Sequence, residues 1–236
     1  YFRGPVLGQF DGRSWRSTSM QNGPAWVASS TAAAHLQVQG EPLRYAVTLE
    51  PHRRPWLLVL DAAPERPEIS GTAAGSALMG SDLQWFATRA ITEVTRYRAT
   101  SYPQFRHGPL GHVDNARGTD PLVFLTYLPD QSNPRTALLA QQLLAEPAVQ
   151  AGGTPALIEA ALQRLRTGGY TYTLEPGLYG EHSADEFWFD KTAGFAEHID
   201  SAFAVLMGAT QVPGSAVTGD RGSQVHPAED HGMVRP

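Results

Sequence analysis

The period of the hydrophobic pattern changes near residues 129–134, and this change constrains the fold more than any other feature of the chain. Before it, short strand-like patterns alternate with turns rich in proline and glycine. After it, Asn133 and Pro134 suit the cap and the first position of a helix, and apolar residues recur at helical spacing. We therefore predict an α+β fold with a β-rich domain over residues 1–129 and a second domain over residues 130–236.

Several segments of the first half favour strands. Residues 5–10 and 91–99 carry strand signals, and Leu43–Leu49 alternates as a half-buried strand does. Residues 56–60 form a short apolar run, which is typical of a strand buried on both faces, and residues 122–128 add a further strand. Short strands with turns between them favour a β-sandwich for this half.

The second half favours helices. One is predicted over residues 136–145, and a second begins with Thr154 as its cap and ends at Gly168. Residues 170–174 favour an extended segment. A last helix over residues 194–208 has an apolar face made of Ile199, Ala202, Phe203, Leu206 and Met207. From periodicity alone this last element is a buried core helix.

A specific motif lies at the start of that helix. The order Asp-Glu-Phe-x-Phe-Asp, then Gly-Phe-Ala-Glu-His at residues 194–198, is followed by the apolar helix and by Val217-Thr218-Gly219. It resembles the block around the active cysteine of bacterial transglutaminase-like proteins, where Gly-Phe-Cys-Glu-His is the usual form. Residues 3–7 and 10–15 resemble the opening of the periplasmic region of the TgpA-type, membrane-anchored members of that family.

The resemblance implies an extracytoplasmic β domain ahead of the helical front part of a papain-like transglutaminase core. It implies acyl transfer from a protein or peptide glutamine to an amine through a cysteine thioester, with no metal or organic cofactor. Ala196 stands at the position of the nucleophilic cysteine, and the catalytic histidine and aspartate are expected beyond Pro236. The longer parent protein, of which this sequence is a part, is expected on the periplasmic side of the bacterial inner membrane. Flanking segments outside this sequence would anchor it there.

Position 196 suits a nucleophile for a physical reason. A thiol in the first turn of a helix feels the positive end of the helix dipole, and its pKa can fall from about 8.5 to between roughly 3.5 and 7.5. Gly194 allows a tight backbone entry, and the free N–H groups of the first turn can donate to a developing oxyanion. Alanine at 196 keeps the helix and removes the thiol, so this chain as written is expected to be inactive.

Other side chains of the sequence are possible substitutes for the missing catalytic groups. His198 lies two positions after Ala196, on a different helical face, and is interpreted as a hydrogen-bonded structural residue. Asp185, Glu186 and Asp190 form a possible acid–base set, but capping of the following helix and contact with solvent is the favoured interpretation. Trp188 is either a wall of a substrate cleft or a packed core side chain. The tail group His226, Glu229, Asp230 and His231 is interpreted as a solvated tail rather than a metal site.

Composition narrows the functional classes. The formal net charge is -5 with 18 Lys and Arg residues that are scattered, which argues against a nucleic-acid surface. No run of about 18 apolar residues occurs, so no transmembrane helix is predicted. The start at Tyr1 does not match a signal peptide, and the sequence is interpreted as an excised soluble portion. The cysteine count of zero excludes disulfides and thiolate ligands within it.

Two functional hypotheses follow. The first is an acyltransferase parent whose nucleophile is absent from this chain. The second is a pseudoenzyme that binds a cell-envelope peptide or protein through the β domain and the cleft that holds the substrate in active relatives. The residues Ile199, Asp200, 211–215 and Asp220 also depart from the family pattern. An engineered inactive enzyme, a natural loss of activity and uncertain residue identities in this region all remain compatible with these departures.

Overall fold

The computed structural model describes residues 2–17, 36–80, 82–107, 123–220, 224–226 and 233–235. The chain divides into two compact units, and each unit is built from separate segments. The β-rich unit consists of Tyr1–Val6, Ser17–Asp114 and Val217–Pro236, and the helical unit consists of Leu7–Arg16 and Asn115–Ala216. The predicted domains, 1–129 and 130–236, stay a prediction.

The described chain contains short strands, most of them in its first half. They are β1 (Phe2–Leu7), β2 (Gln9–Phe10), β3 (Trp15–Arg16), β4 (Leu36–Gln39), β5 (Leu43–Leu49), β6 (Trp56–Leu57), β7 (Val59–Leu60), β8 (Glu68–Ile69), β9 (Ala77–Met79), β10 (Trp85–Ala87), β11 (Thr95–Ser101), β12 (Gln104–His107), β13 (Thr171–Tyr172), β14 (Ala193–Gly194), β15 (Ala216–Asp220), β16 (Gln224–His226) and β17 (Met233–Arg235). They form several small sheets, with the orders β15-β1-β7, β6-β10-β9, β16-β17-β5-β11-β8, β12-β4, β13-β14 and β2-β3.

The longest pairing joins β5 and β11 in the β-rich unit. These strands run antiparallel, from Thr95 opposite Leu49 to Ser101 opposite Leu43. The alternation predicted for Leu43–Leu49 is confirmed, because Tyr45, Val47 and Leu49 are buried in the core. Together with Leu57, Val59, Trp85, Ile91 and Tyr97, these side chains form the apolar cluster of this unit.

Two strand predictions need correction. Residues 56–60 do not form one strand, because β6 pairs with β10 and β7 pairs with β1 in another sheet. The side chains of Leu57 and Val59 are fully buried all the same, which explains the apolar run. Residues 123–126 form a turn of 3₁₀ helix, so the strand predicted over 122–128 is wrong in its described part.

The helical unit contains four α-helices among the described residues. They are α1 (Pro134–Ala145), α2 (Pro147–Thr167), α3 (Ser183–Glu186) and α4 (Ala196–Ala209). Its apolar cluster includes Phe10, Leu139, Leu143, Leu157, Phe187, Trp188, Val205 and Leu206. A mixed fold of small sheets and helices is what the predicted α+β class requires.

The second helix differs from its prediction at one end. Thr154 was predicted as the cap, but α2 begins at Pro147 and contains a break at Gly153, which has φ 62° and ψ −150°. That backbone conformation is open to glycine and rare for other residues. The regular part therefore starts close to the predicted cap, and Gly168 ends the helix as expected.

Candidate functional site

Ala196 is the first residue of α4, and Phe195 before it is extended, with φ −97° and ψ −178°. The chain arrives there through the π-helical turn Phe187–Lys191, then Thr192 with a left-handed φ of 49°, then β14. Strand β13 pairs in parallel with β14, and the Thr173 N–H donates to the Gly194 carbonyl oxygen at 2.9 Å. Backbone hydrogen bonds therefore hold the start of α4 in place.

The first backbone N–H groups of α4 have no acceptor in the part of the chain that the structure describes. Ala196 and Glu197 are exposed, and their backbone N–H groups bond to no acceptor among the described residues. The N–H groups of His198 and Ile199 both donate to the Phe195 carbonyl oxygen, at 3.0 and 3.3 Å. The positive end of the helix dipole is thus open at position 196. Such an end stabilises a negative charge, although the methyl group of alanine offers no reactive atom.

Gly194 is required by a close approach of two segments. A Cβ atom built on this buried glycine lies 2.7 Å from the His198 Cβ and 3.5 Å from the Phe187 Cδ2. Real Cβ atoms do not approach neighbours at the first of these distances. The predicted role of Gly194 in a tight entry therefore has a definite cause, which is contact with the first turn of α4.

His198 packs between two aromatic rings. Its ring centroid lies 4.4 Å from that of Tyr179 and 4.4 Å from that of Phe195. Its Nδ1 atom is buried and has no hydrogen-bond partner among the described residues, so the hydrogen bond expected there is not found. Burial lowers the pKa of His198, with a smaller raising effect of Glu197 and a lowering effect of Lys191. His198 is a packing residue on the helix.

A loop beside β14 was missed by sequence reasoning. The Tyr179 hydroxyl donates to the Ala193 carbonyl oxygen at 2.7 Å. The Lys191 ammonium lies 4.3 Å from the centroid of the Tyr179 ring, pairs with Glu186 at 3.1 Å, and donates to the Leu178 carbonyl oxygen. Residues 175–182 have neither helical nor strand periodicity. No local signal in the sequence therefore pointed to these contacts.

The carboxylates before α4 have structural partners, and one prediction about them is wrong. Asp185 was expected to cap the following helix, yet it is buried and accepts bonds from the Thr136 N–H at 2.7 Å and the Thr136 hydroxyl at 2.6 Å, at the start of α1. Asp190 forms an exposed ion pair with Arg135 at 2.8 Å. Glu186 accepts a bond from the Gly180 N–H at 2.7 Å. These contacts stabilise the fold.

Trp188 belongs to the core of the helical unit. Its side chain is 2% exposed, and its indole N–H donates to the Ala202 carbonyl oxygen at 3.1 Å. The Arg164 guanidinium lies 5.9 Å from its ring centroid. Of the two interpretations of Trp188, the packed core side chain is therefore the one that the contacts support.

The tail histidines lie where no side chain is described. His226 ends strand β16, and Glu229, Asp230 and His231 fall outside the described residues. Among the side chains that the structure does describe, no group of three or more His, Asp or Glu residues could hold a metal ion. In the same part of the chain, no helix is long and apolar enough to cross a membrane.

Comparison with known proteins places these elements in a family. Residues 1–107 match the family model described as the TgpA N-terminal domain. The crystal structure of the periplasmic domain of TgpA from Pseudomonas aeruginosa superimposes with a TM-score of 0.75 at 30% sequence identity, and the match covers 98% of this chain and 72% of that one. This chain belongs to the TgpA family. The crystal structure of the same domain bound to ethylmercury matches equally, with a TM-score of 0.75 and 73% of that chain covered.

A longer relative carries an enzyme name. The chain is 31% identical over 236 residues to a Pseudomonas aeruginosa protein named protein-glutamine gamma-glutamyltransferase. The match covers 99% of this chain but only 31% of that protein, so the chain spans less than a third of its relative. The TgpA family therefore includes a transglutaminase, and its structurally known part is periplasmic.

Proposed function

We propose that the whole protein is a transglutaminase-like acyltransferase of the cell envelope, and that Ala196 marks the position of the nucleophile in this chain. The observation that carries the proposal is the start of α4 at Ala196. The side chain there is exposed, and the neighbouring backbone N–H groups have no acceptor among the described residues. A cysteine there would be held as a thiolate by the helix dipole. The name of the Pseudomonas aeruginosa relative supports the same class of reaction.

The proposed reaction has two steps. A thiolate at position 196 attacks the side-chain carboxamide carbon of a protein glutamine, the carbon–nitrogen bond breaks, and ammonia leaves after protonation. The nitrogen of the second substrate's amine then attacks the thioester carbon and loses a proton, which balances the proton taken up by ammonia. The carbon–sulfur bond breaks, the thiolate leaves, and a new amide remains. The Ala196 and Glu197 N–H groups would stabilise the negative oxygen formed in each step. Water in place of the amine would give hydrolysis.

We assign the helical unit to the front part of a papain-like core and the β-rich unit to a sandwich-like extracytoplasmic domain. The general base and its orienting carboxylate are expected from segments of the parent outside this sequence. Membrane anchorage on the periplasmic side of the inner membrane is proposed for the parent by analogy with the TgpA periplasmic domain.

The chain as written lacks the sulfur that the reaction needs, because it contains no cysteine. This observation favours a second candidate function, in which the protein binds a glutamine-bearing peptide or an envelope protein without turnover. The two candidates differ in one property. If the protein is an acyltransferase that lacks only its nucleophile, a cysteine at position 196 should restore acyl transfer. If it is a binding module that has lost its active site, the same cysteine should restore none.

The test uses the whole protein produced from its gene, with Ala196 and with Ala196→Cys. Each is mixed with a glutamine-bearing protein and a fluorescent primary amine, and amine incorporation is measured. The proposal expects incorporation only with Ala196→Cys, and none with Leu138→Cys, which puts a thiol on an exposed site of α1. Equal incorporation by the Ala196 protein contradicts the assignment of the nucleophile. Failure of Ala196→Cys with retained glutamine-peptide binding favours the binding module.

A further inference from the structure

The β-rich unit has a cavity of about 400 Å³ on the exposed face of the β5–β11 pair. Charged and polar side chains dominate its lining: Arg44, Glu65, Arg66, Glu68, Arg98 and Thr100. The volume lies within the range of sites for small ligands, which runs from about 300 to 1,000 Å³. Nothing in the acyl-transfer chemistry at position 196 uses this cavity.

The register of β5 and β11 explains why there is a cavity on this face. Arg98 lies directly opposite Ala46, and Arg44 lies opposite Thr100. Residues two apart on a strand share a face, so the methyl group of Ala46 is surrounded by the longer side chains of Arg44 and Arg98. A small side chain between long ones leaves a hollow with guanidinium groups at its rim.

Two prolines before β8 leave the cavity open at the edge of the sheet beside β11. Strand β8 contains only Glu68 and Ile69, and Pro64 and Pro67 lie just before it. Proline has no N–H group to donate to a strand ladder, so the pairing with β11 ends at Glu68 opposite Arg98. The chain segment with Glu65 and Arg66 therefore lines the cavity instead of continuing the sheet.

The arginines are available to a ligand. Arg44, Arg66 and Arg98 are exposed, and the guanidinium group of none of them forms an ion pair or hydrogen bond with another described residue. On the opposite, buried face of the same strands, the Tyr45 and Ser101 hydroxyl groups share a hydrogen bond at 2.7 Å, which links β5 to β11. Three guanidinium groups without a partner among the described residues therefore give the cavity hydrogen-bond donors and positive charge for an anion.

We propose that this cavity binds a peptide through a free carboxylate. The planar guanidinium group matches the two oxygens of a carboxylate, and Arg98 and Arg44 are placed to hold it across Ala46. The two glutamates at the rim oppose a ligand with several negative charges, such as a phosphate polymer. They accept hydrogen bonds from the amide N–H groups that accompany a carboxylate in a peptide. Three arginines against two glutamates suit a ligand with one negative charge.

The test is an NMR titration of the ¹⁵N-labelled chain with the tripeptide acetyl-Ala-Ala-Ala. The peptide with a free C-terminal carboxylate is compared with its C-terminal amide and with inorganic phosphate. We expect shifts at β5 and β11 amides with the carboxylate, and binding at least about tenfold weaker with the amide, since a charge-assisted pair is lost. Arg98→Gln and Arg44→Gln should each weaken binding by at least about fivefold. Arg106→Gln changes an exposed arginine of β12 in the same unit and should leave binding unchanged.

Each other result overturns the proposal. Equal affinity for the carboxylate and the amide shows that charge recognition is absent. Unchanged affinity in both Arg98→Gln and Arg44→Gln places the ligand elsewhere. Phosphate that binds more tightly than the tripeptide assigns the cavity to phosphate-bearing ligands. If no probe shifts any amide signal, the cavity binds none of these ligands. Arg98→Gln and Arg44→Gln replace exposed side chains, and unchanged thermal unfolding checks that their fold is intact.

Discussion

Asn133 and Asp185 cap each other's helices. The Asn133 side-chain oxygen accepts hydrogen bonds from the backbone N–H groups of Ala184 and Asp185, at 3.0 and 3.3 Å, at the start of α3. The Asp185 carboxylate accepts bonds from the N–H groups of Arg135 and Thr136, at 3.0 and 2.7 Å, at the start of α1. Both side chains are buried, at 1% and 4% exposure. This reciprocal pair joins α1 to the segment that leads into α4.

Replacing Asp185 by alanine removes the cap of α1 and leaves buried N–H groups without acceptors. We expect the free energy of unfolding of Asp185→Ala to fall by about 2–4 kcal/mol in urea denaturation. Asp190→Ala is the matched control, because the Asp190 and Arg135 side chains of that ion pair are 49% and 48% exposed and such pairs contribute at most about 1 kcal/mol. Equal losses in the two variants would show that the reciprocal capping adds no stability.

A second prediction concerns the entry to α4. Gly194→Ala adds a methyl group within 2.7 Å of the His198 Cβ, so the first turn of the helix must move. We expect a loss of about 1–3 kcal/mol in unfolding free energy, as for other overpacked sites. At Gly214 a built Cβ has no neighbour closer than 3.8 Å, and Gly214→Ala should change stability by about 0.5 kcal/mol or less. A Gly194→Ala variant as stable as Gly214→Ala would refute the close packing described here.

The half-buried ring of His198 predicts a pH effect on stability. Because burial lowers the pKa of His198 in the folded chain, the unfolded chain binds more protons between the folded pKa and about 6.5. The contribution of neutral His198 to the free energy of unfolding is therefore complete above about pH 6.5. It is lost as the pH falls toward the pKa of His198 in the folded chain. We expect the unfolding free energies of the unsubstituted chain and of His198→Phe to diverge across this window, with a steeper fall for the unsubstituted chain. Parallel pH profiles would mean that His198 titrates as an exposed imidazole does.

The sequence predicted the elements whose signals are local. Strand β5 has the predicted bounds because its alternation reflects one buried face, and α4 begins within its motif. The single strand predicted at residues 56–60 is wrong, because two short strands in different sheets bury this apolar run. Asp185 was assigned to the wrong helix, because a cap from a distant segment leaves no trace in spacing.

The same limit applies to the two candidate sites. Position 196 was found through a motif, and its exposure and free N–H groups follow from the helix start that the motif marks. The arginine cavity was not found, because Arg44 and Arg98 are far apart in the chain and only strand register brings them together. Scattered arginines in a sequence indicate nothing until the pairing of β5 and β11 is known.

The helix dipole at α4 predicts an acidic thiol in Ala196→Cys. We expect its pKa to lie at least about one unit below the usual 8.5, as measured from the pH dependence of iodoacetamide alkylation. Leu138→Cys provides the reference, because position 138 is 57% exposed and lies inside α1 rather than at its first residue. Identical alkylation profiles for the two thiols would show that the start of α4 does not favour a thiolate.

The central claim, that position 196 is the nucleophile position of an acyltransferase, is tested most directly by trapping the thioester. The whole protein with Ala196→Cys is mixed with a glutamine peptide, quenched in acid, digested and analysed by mass spectrometry. We predict that the fragment containing residue 196 gains the mass of the peptide less ammonia, and that hydroxylamine removes this adduct. No adduct at residue 196, under conditions where the glutamine peptide binds, would contradict the claim.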